Sequence, residues 1–309
     1  MRSVLTYALA LSLPAAAQTA APKRPRITGV AHIAIFVHDI EKARAYYKDF
    51  LGYGEPFGLQ KPDGSLQLTF IKINDRQYVE IFPETAPQTD RLNHWALEVD
   101  DAEAMRAYLG ANGFKVPATV PQGRTGNLNF TVRDPDGHGV EFVQYLPGSA
   151  SGREWGKFMD GPRVATRMSH VGILVGALEP AMKFYRNLLG FQETWRGGRD
   201  ATQLQWVNMK VPDGEDYVEF MLYQDLPAPT ARGSAHHLCL EVPDIEKSLA
   251  QLQSRAAAAG YTRTMEIRTG INRRRQLNLF DPDGTRSELM EPRTVDGKPA
   301  PSSTAPPPR

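Results

Sequence analysis

Four histidine–glutamate couples recur along this chain at nearly constant spacing: His32 with Glu80, His94 with Glu141, His170 with Glu219 and His237 with Glu288. The separations are 48, 47, 49 and 51 residues, and four of the seven histidines sit at this one equivalent place. A lone histidine in an apolar strand is ordinarily a satisfied core residue. Four in register, each with its own glutamate, point instead to metal-ligand chemistry. Each histidine lies in a short apolar run: VAHIAIFV, LNHWALEV, MSHVGILV and AHHLCLEV. In a strand, residues two apart share a face. Ala34, Ala96, Gly172 and Cys239 therefore lie beside the four histidines, leaving space above them for an ion with open coordination positions. Ile33, Trp95, Val171 and Leu238 point to the opposite, core-forming face. Ordinary size complementarity in packing is the competing explanation.

The elements that must hold these residues follow from the same repeat. A helix is expected after each histidine strand. The first runs from about Ile40 to Leu51, with Asp39 as N-cap and Gly52 as C-cap; the others stop near Gly113, Gly190 and Gly260. Tyr46, Phe50 and Leu51 form one buried helical face, as do Phe184, Leu188 and Leu189. Alternating runs follow at 66–73 and 77–82, 128–132 and 140–145, 203–209 and 217–222, 275–280 and 287–290. A less strongly marked strand, such as 192–196, sits between helix and hairpin. Asn74-Asp75, Asp134-Pro135-Asp136-Gly137, Pro212-Asp213-Gly214 and Asp281-Pro282-Asp283-Gly284 supply the tight turns. Each module reads β-α-β-β-β. One such module cannot close its core alone, so four make two domains. The fold class is α+β, with four βαβββ modules paired into two cupped mixed-sheet domains.

Composition agrees with a globular chain of two domains. There are 309 residues, 41% of them hydrophobic, and Lys plus Arg is 36 against Asp plus Glu 35. That balance gives no field for nucleic acid or an anionic membrane. The single cysteine, Cys239, excludes an intramolecular disulfide and a cysteine-based zinc site, and reads as a small packing residue. Residues 1–17 read as an export signal: Arg2, the apolar stretch Val4 to Leu13, then Ala15-Ala16-Ala17. Gln18 is the expected new N-terminus, and the expected location is periplasmic or secreted. No other segment is long and apolar enough to span a bilayer. Domains are expected at 27–146 (modules 27–84 and 91–146) and 166–292 (modules 166–224 and 234–292), joined by a linker at 147–165. Residues 293–309, rich in Pro, Ser, Thr and Ala, are expected to be disordered.

YYKDFLGY and FYRNLLGF after a histidine strand, and RDPDGHGVEF and FDPDGTRSEL at module ends, resemble the vicinal-oxygen-chelate superfamily of glyoxalases, bleomycin-resistance proteins and extradiol dioxygenases. The resemblance covers nearly all of residues 27–291. It implies that paired modules form a cup with a metal inside, ligated from the first and last strand of each module. Matched residue by residue, His32, Glu80, His94 and Glu141 form one ligand set, and His170, Glu219, His237 and Glu288 a second. Pairing of sequence neighbours is the default; first with fourth and second with third also occurs in the family. Such a mixed N/O set suits a divalent first-row ion: Fe, Mn, Ni, Co or Zn. It would polarise a carbonyl or stabilise an enediolate while a glutamate moves a proton, with Glu141 and Glu288 as the expected catalytic carboxylates.

Three activities compete on this reading. The first is a glyoxalase-like lyase or isomerase acting through a metal-bound enediolate on a small oxygenated molecule. The second is an extradiol dioxygenase with His170, His237 and Glu288 as its iron triad. Against it, no histidine lies between His170 and His236 to serve as acid–base, and Glu219 fills a place that triad leaves unused. The third is a non-catalytic ligand-binding protein, which would not need eight ligand-type residues. Export would separate the protein from glutathione, which is mainly cytoplasmic. A small-molecule substrate is the expected partner, and the chain a monomer or homodimer. Of the remaining histidines, His138 is expected at the surface, His38 in solvent and His236 on the face opposite His237, as a ligand only if the register is off by one. Arg273-Arg274-Arg275 reads as a solvated loop or as a greeting for an anionic substrate.

Overall fold

The computed structural model describes residues 22–84, 86, 90–232 and 235–308. The expected export signal lies outside them. Among the described residues no helix is long and apolar enough to cross a membrane.

Module one comprises β1 (Ile27–Val37), α1 (Ile40–Arg44), β2 (Gly54–Gln60), β3 (Leu66–Lys72) and β4 (Tyr78–Pro83). Module two comprises β5 (Leu92–Val99), α2 (Ala102–Ala111), β6 (Leu128–Arg133) and β7 (Gly139–Gln144), followed by the short helix α3 (Ala150–Arg153). Module three comprises β8 (Arg167–Val175), α4 (Leu178–Met182), β9 (Gln192–Gly197), β10 (Trp206–Lys210) and β11 (Tyr217–Leu222), then α5 (Pro229–Arg232). Module four comprises β12 (His237–Glu241), α6 (Ile245–Ala256), β13 (Ile267–Thr269), β14 (Arg274–Phe280) and β15 (Arg286–Thr294).

Asp39 caps α1, accepting from the amides of Glu41 and Lys42, and Gly52 ends that helical stretch at φ +84°. The helices of modules one and three each continue as a π-helical segment, Ala45–Phe50 and Lys183–Leu188. The wider turn sets Tyr46, Tyr47 and Phe50, and likewise Phe184 and Tyr185, into the core.

Sequence neighbours pair. The N-terminal sheet runs β2-β3-β4-β1-β5-β7-β6 and the C-terminal sheet β13-β14-β15-β12-β8-β11-β10-β9. In each, two antiparallel histidine strands form the centre and the glutamate strands flank them in parallel. The expected second strand of module two is reduced to a single bridge, Gln122 with Leu128. The segment before it turns through Pro117 and Pro121, where proline cannot donate to a ladder.

One hydrophobic core runs through both halves. The helices cross over: Phe50 of module one stacks on Tyr261 of module four at 4.3 Å, and Tyr185 of module three stacks on Trp95 of module two at 6.1 Å. The buried aspartates of the DPDG turns anchor the same crossings. Asp134 accepts from Tyr185 Oη at 2.8 Å, and Asp281 from Tyr47 Oη at 3.4 Å.

One expectation from composition is corrected. Residues 293–309 are not a loose tail over the described part. Trp195 Nε1 donates to the Pro301 carbonyl, Ser303 N to that of Arg196 and Leu204 N to that of Pro306, and Ala305 is buried. Low apolar content fails as a guide here because the segment uses backbone hydrogen bonds along the module-three edge. The 147–165 connection is also packed. The fully buried Lys72 ammonium bonds Asp75 and the carbonyls of Glu154 and Lys157.

Candidate metal centres

Strand register brings each ligand set together. Across the central pair of the N-terminal sheet, His32 faces Ala96 and Ala34 faces His94. Ala34 is also flanked by Glu80, and Ala96 by Glu141. The C-terminal sheet repeats the pattern: Gly172 lies between His237 and Glu219, and Cys239 between His170 and Glu288. Every small residue thus has an imidazole on one side and a carboxylate on the other, and the larger side chains lean over it toward one point.

All eight expected ligands gather as two sets of four. His32 Nε2 and His94 Nε2 are 3.1 Å apart, with Glu80 and Glu141 oxygens 3.3–3.9 Å from these nitrogens. His170 Nε2 and His237 Nε2 are also 3.1 Å apart; Glu219 lies 3.4 Å from His237, and Glu288 3.5 and 3.7 Å from His237 and His170. Metal–ligand bonds of about 2.0–2.2 Å place adjacent donors roughly 3.0–3.6 Å apart, so both sets fit a divalent ion with little movement. Two of the remaining ring nitrogens have acceptors behind them. His94 Nδ1 meets Asn93 Oδ1 at 3.2 Å, and His237 Nδ1 meets the Ala235 carbonyl at 3.0 Å.

Burial tunes the donors. It holds the His32 imidazole down to about 3 and His170 down to about 4, against the pull of Glu141 and Glu219 respectively. Both rings are therefore neutral at neutral pH, the form a metal requires. Burial pushes the Glu80 carboxyl up to about 8, with His94 pulling the other way. At Glu288 burial acts in the same sense but is outweighed by the bond to His237 and the Arg286 charge, which bring it down to about 2. The Cys239 thiol is driven well up by burial and by Glu288, and so stays protonated and weakly nucleophilic.

The two cups differ in access. The N-terminal one keeps a cavity of about 20 Å³, enclosed by Phe57, Phe70, Tyr78, Tyr145, Asn127 and Ser151. That is space for about one water. The connection after β7 closes it: Ala150 N bonds the Thr125 carbonyl, and Asn127 Nδ2 donates to Ser151 Oγ at 3.0 Å. The C-terminal cup opens into a cavity of about 220 Å³ that reaches Glu219 and Glu288 between Trp195, Trp206, Asn278 and Arg286. Arg286, Asn278 and Asn208 were not singled out from the sequence. Arg286 could have been, because it stands two residues before Glu288 on one strand face.

The other histidines lie away from both sets. His138, expected at the surface, is buried, with Nδ1 on Asp134 Oδ2 at 2.8 Å; the turn folds inward against module four. His236 packs edge-on to His138, ring centroids 5.2 Å apart, on the face opposite His237 as expected. His38 is exposed and pairs with Glu84. Of the arginine run, Arg273 pairs with Asp296 and Arg275 with Glu246 and Glu291, while Arg274 lines a cavity beside the C-terminal cup.

Comparison with known proteins agrees with this architecture. A lactoylglutathione lyase of Neisseria meningitidis is 29% identical over 128 residues, which cover 39% of this chain and 93% of the relative. An extradiol ring-cleaving dioxygenase from Brevibacterium fuscum superposes with a TM-score of 0.66 at 17% identity, covering 92% of this chain and 77% of that one. A Mn(II)-bound glyoxalase from Novosphingobium aromaticivorans gives 0.63 at 16% identity, covering 86% and 83%. The Glyoxalase/Bleomycin resistance protein/Dioxygenase superfamily matches residues 29–142 and 167–289, and the chain belongs to that superfamily.

Proposed function

We propose that the chain is a divalent-metal-dependent lyase or isomerase that works in its C-terminal cup on a small oxygenated molecule. The observation that carries this reading is the four-donor set of His170, Glu219, His237 and Glu288, whose two carboxylates line an open 220 Å³ cavity. A divalent ion held there would supply Lewis acidity toward a substrate oxygen. The chain's own groups divide the remaining work. His170 and His237 hold the centre. Glu288, kept ionised by His237 and Arg286, suits a fixed anchor better than a proton carrier. We therefore assign proton transfer at the substrate carbon to Glu219, which lines the same cavity, rather than to Glu288. Trp195 and Trp206 line the cavity on its apolar side. The N-terminal cup has space for a water and no substrate, so Glu141 takes no part in turnover and His32, Glu80, His94 and Glu141 form a second, structural centre. The export expected from residues 1–17 belongs to the same proposal, and an exported protein beginning at Gln18 tests it.

A second reading, ring-cleaving dioxygenase, is favoured by one observation: His170, His237 and Glu288 lie within 3.1–3.7 Å of one another as two imidazoles and a carboxylate. Glu219 at 3.4 Å from His237 argues for the four-donor centre instead. One experiment separates them. Metal-loaded protein in D2O is given lactoylglutathione or dihydroxyacetone, and deuterium uptake at the carbon next to the carbonyl is followed by NMR. Oxygen uptake with homoprotocatechuate is measured in parallel. Exchange without oxygen uptake supports the first reading, and oxygen uptake without exchange supports the second.

A further inference from the structure

We propose that Arg286 is the anion receptor of the C-terminal cup, and that the substrate worked on there is a small hydroxy acid. This inference rests on the metal-centred reading above and adds the substrate class.

The repeat exposes the difference between the cups. Two residues before each ligand glutamate, on the same strand face, stand Tyr78, Gly139, Tyr217 and Arg286. Only the last is charged. Two carboxylates neutralise a divalent ion in either cup. Arg286 then leaves the C-terminal cup with one uncompensated positive charge, which calls for a monoanion.

Arg286 is also unsatisfied. Among the described residues it has no carboxylate within ion-pair distance. Its Nη2 lies 2.7 Å from His237 Nδ1 and 3.6 Å from Met221 Sδ, and its buried Nε has no partner. A guanidinium only donates, so this contact needs a lone pair on Nδ1. An imidazole that gives Nε2 to a metal carries its proton on Nδ1, where the Ala235 carbonyl at 3.0 Å stands ready to accept it. The two arrangements exclude each other. Metal loading therefore releases Arg286 from His237 into the 220 Å³ cavity it already lines, where its planar fork matches a carboxylate.

An amide completes the recognition. Asn208 lies directly opposite Glu219, and Asn278 directly opposite Glu288. Both Oδ1 atoms lack a partner, and Asn208 is more than nine-tenths buried. Asn278, which lines the 220 Å³ cavity, is the acceptor for a substrate hydroxyl group. The N-terminal cup has Phe70 and Thr131 at the corresponding places.

The test reads Mn2+ affinity by calorimetry in full-length protein carrying His32→Ala and His94→Ala, so that the C-terminal centre is read alone. The probes are glycolate and its uncharged analogue glycolamide, both of which offer a hydroxyl and a carbonyl oxygen to the metal. Glycolate is expected to tighten Mn2+ binding about tenfold or more, and glycolamide less than twofold. Adding Arg286→Met is expected to leave Mn2+ binding at least as tight while removing most of the glycolate effect, and Arg286→Lys to retain part of it. Equal effects of the two probes, or a full glycolate effect in the Met variant, would overturn the proposal with the metal centre intact. Failure of the Arg286-containing parent to bind Mn2+ would overturn the metal-centred reading as well.

Discussion

Gly172 faces His237 across the central strand pair of the C-terminal sheet, and the imidazole occupies the space a Cβ at 172 would need, its Cε1 well inside van der Waals contact. The absence of a side chain at 172 is what lets His237 lean toward His170. Gly172→Val suits a strand backbone but takes the ring's seat. We expect the variant to fold and keep the N-terminal centre while its C-terminal metal affinity falls by 10-fold or more. Metal content after dialysis against a weak chelator checks this.

Tyr185→Phe probes the crossing between the halves. Its hydroxyl donates to the buried Asp134 carboxylate, which also accepts from His138. Losing a bond to a buried charged group should cost about 1.5–3 kcal/mol. Urea unfolding should show that loss with metal content unchanged.

Glu80 gives the metal-free protein a pH signature. Its folded carboxyl is raised to about 8 by burial, so its contribution to stability is complete below its unfolded pKa and is lost as pH rises through about 8. His32 and His170 are depressed; their contributions are present above the unfolded histidine value and are lost only as pH falls toward about 3 and 4. Between pH 6.5 and 8 the Glu80 slope, at most roughly 1.4 kcal/mol per unit, should therefore show. Urea unfolding of chelated protein at the two pH values should give lower stability at pH 8, and Glu80→Gln should flatten the difference. An unchanged slope in the variant would remove Glu80 as its source.

Glu219→Gln tests the proton carrier. General-base removal ordinarily lowers the rate by about 10²–10⁴. Deuterium exchange should fall by that order while the variant still binds its C-terminal metal through His170, His237 and Glu288. Exchange at the parent rate would return the role to another group.

Much of this was legible from residues alone because it is local or periodic. The four histidine strands, the small residues beside them, the glutamates near 50 residues on and the glycines after each helix follow from spacing and backbone sterics. What was not legible depends on long-range closure. No local pattern says that Tyr145 and Ser151 seal the N-terminal cup while the C-terminal one stays open. The burial of His138 needs module four to be in place, and the packing of 299–306 needs the module-three edge. The π segments at 45–50 and 183–188 arise where tyrosines must reach the other half, which helical periodicity does not record. The conspicuous basic run, Arg273–Arg275, has two members bound to carboxylates, whereas Arg286 is a lone arginine whose place beside the ligands depends on how strands 237–241 and 286–294 pair.

Metal content bears most directly on the whole account. Elemental analysis of purified protein after saturation with Mn2+ or Zn2+ and desalting should give two equivalents per chain, falling to one in His237→Ala and to one in His94→Ala. A folded wild-type protein that retains no divalent metal, or variants that both keep two equivalents, would contradict it.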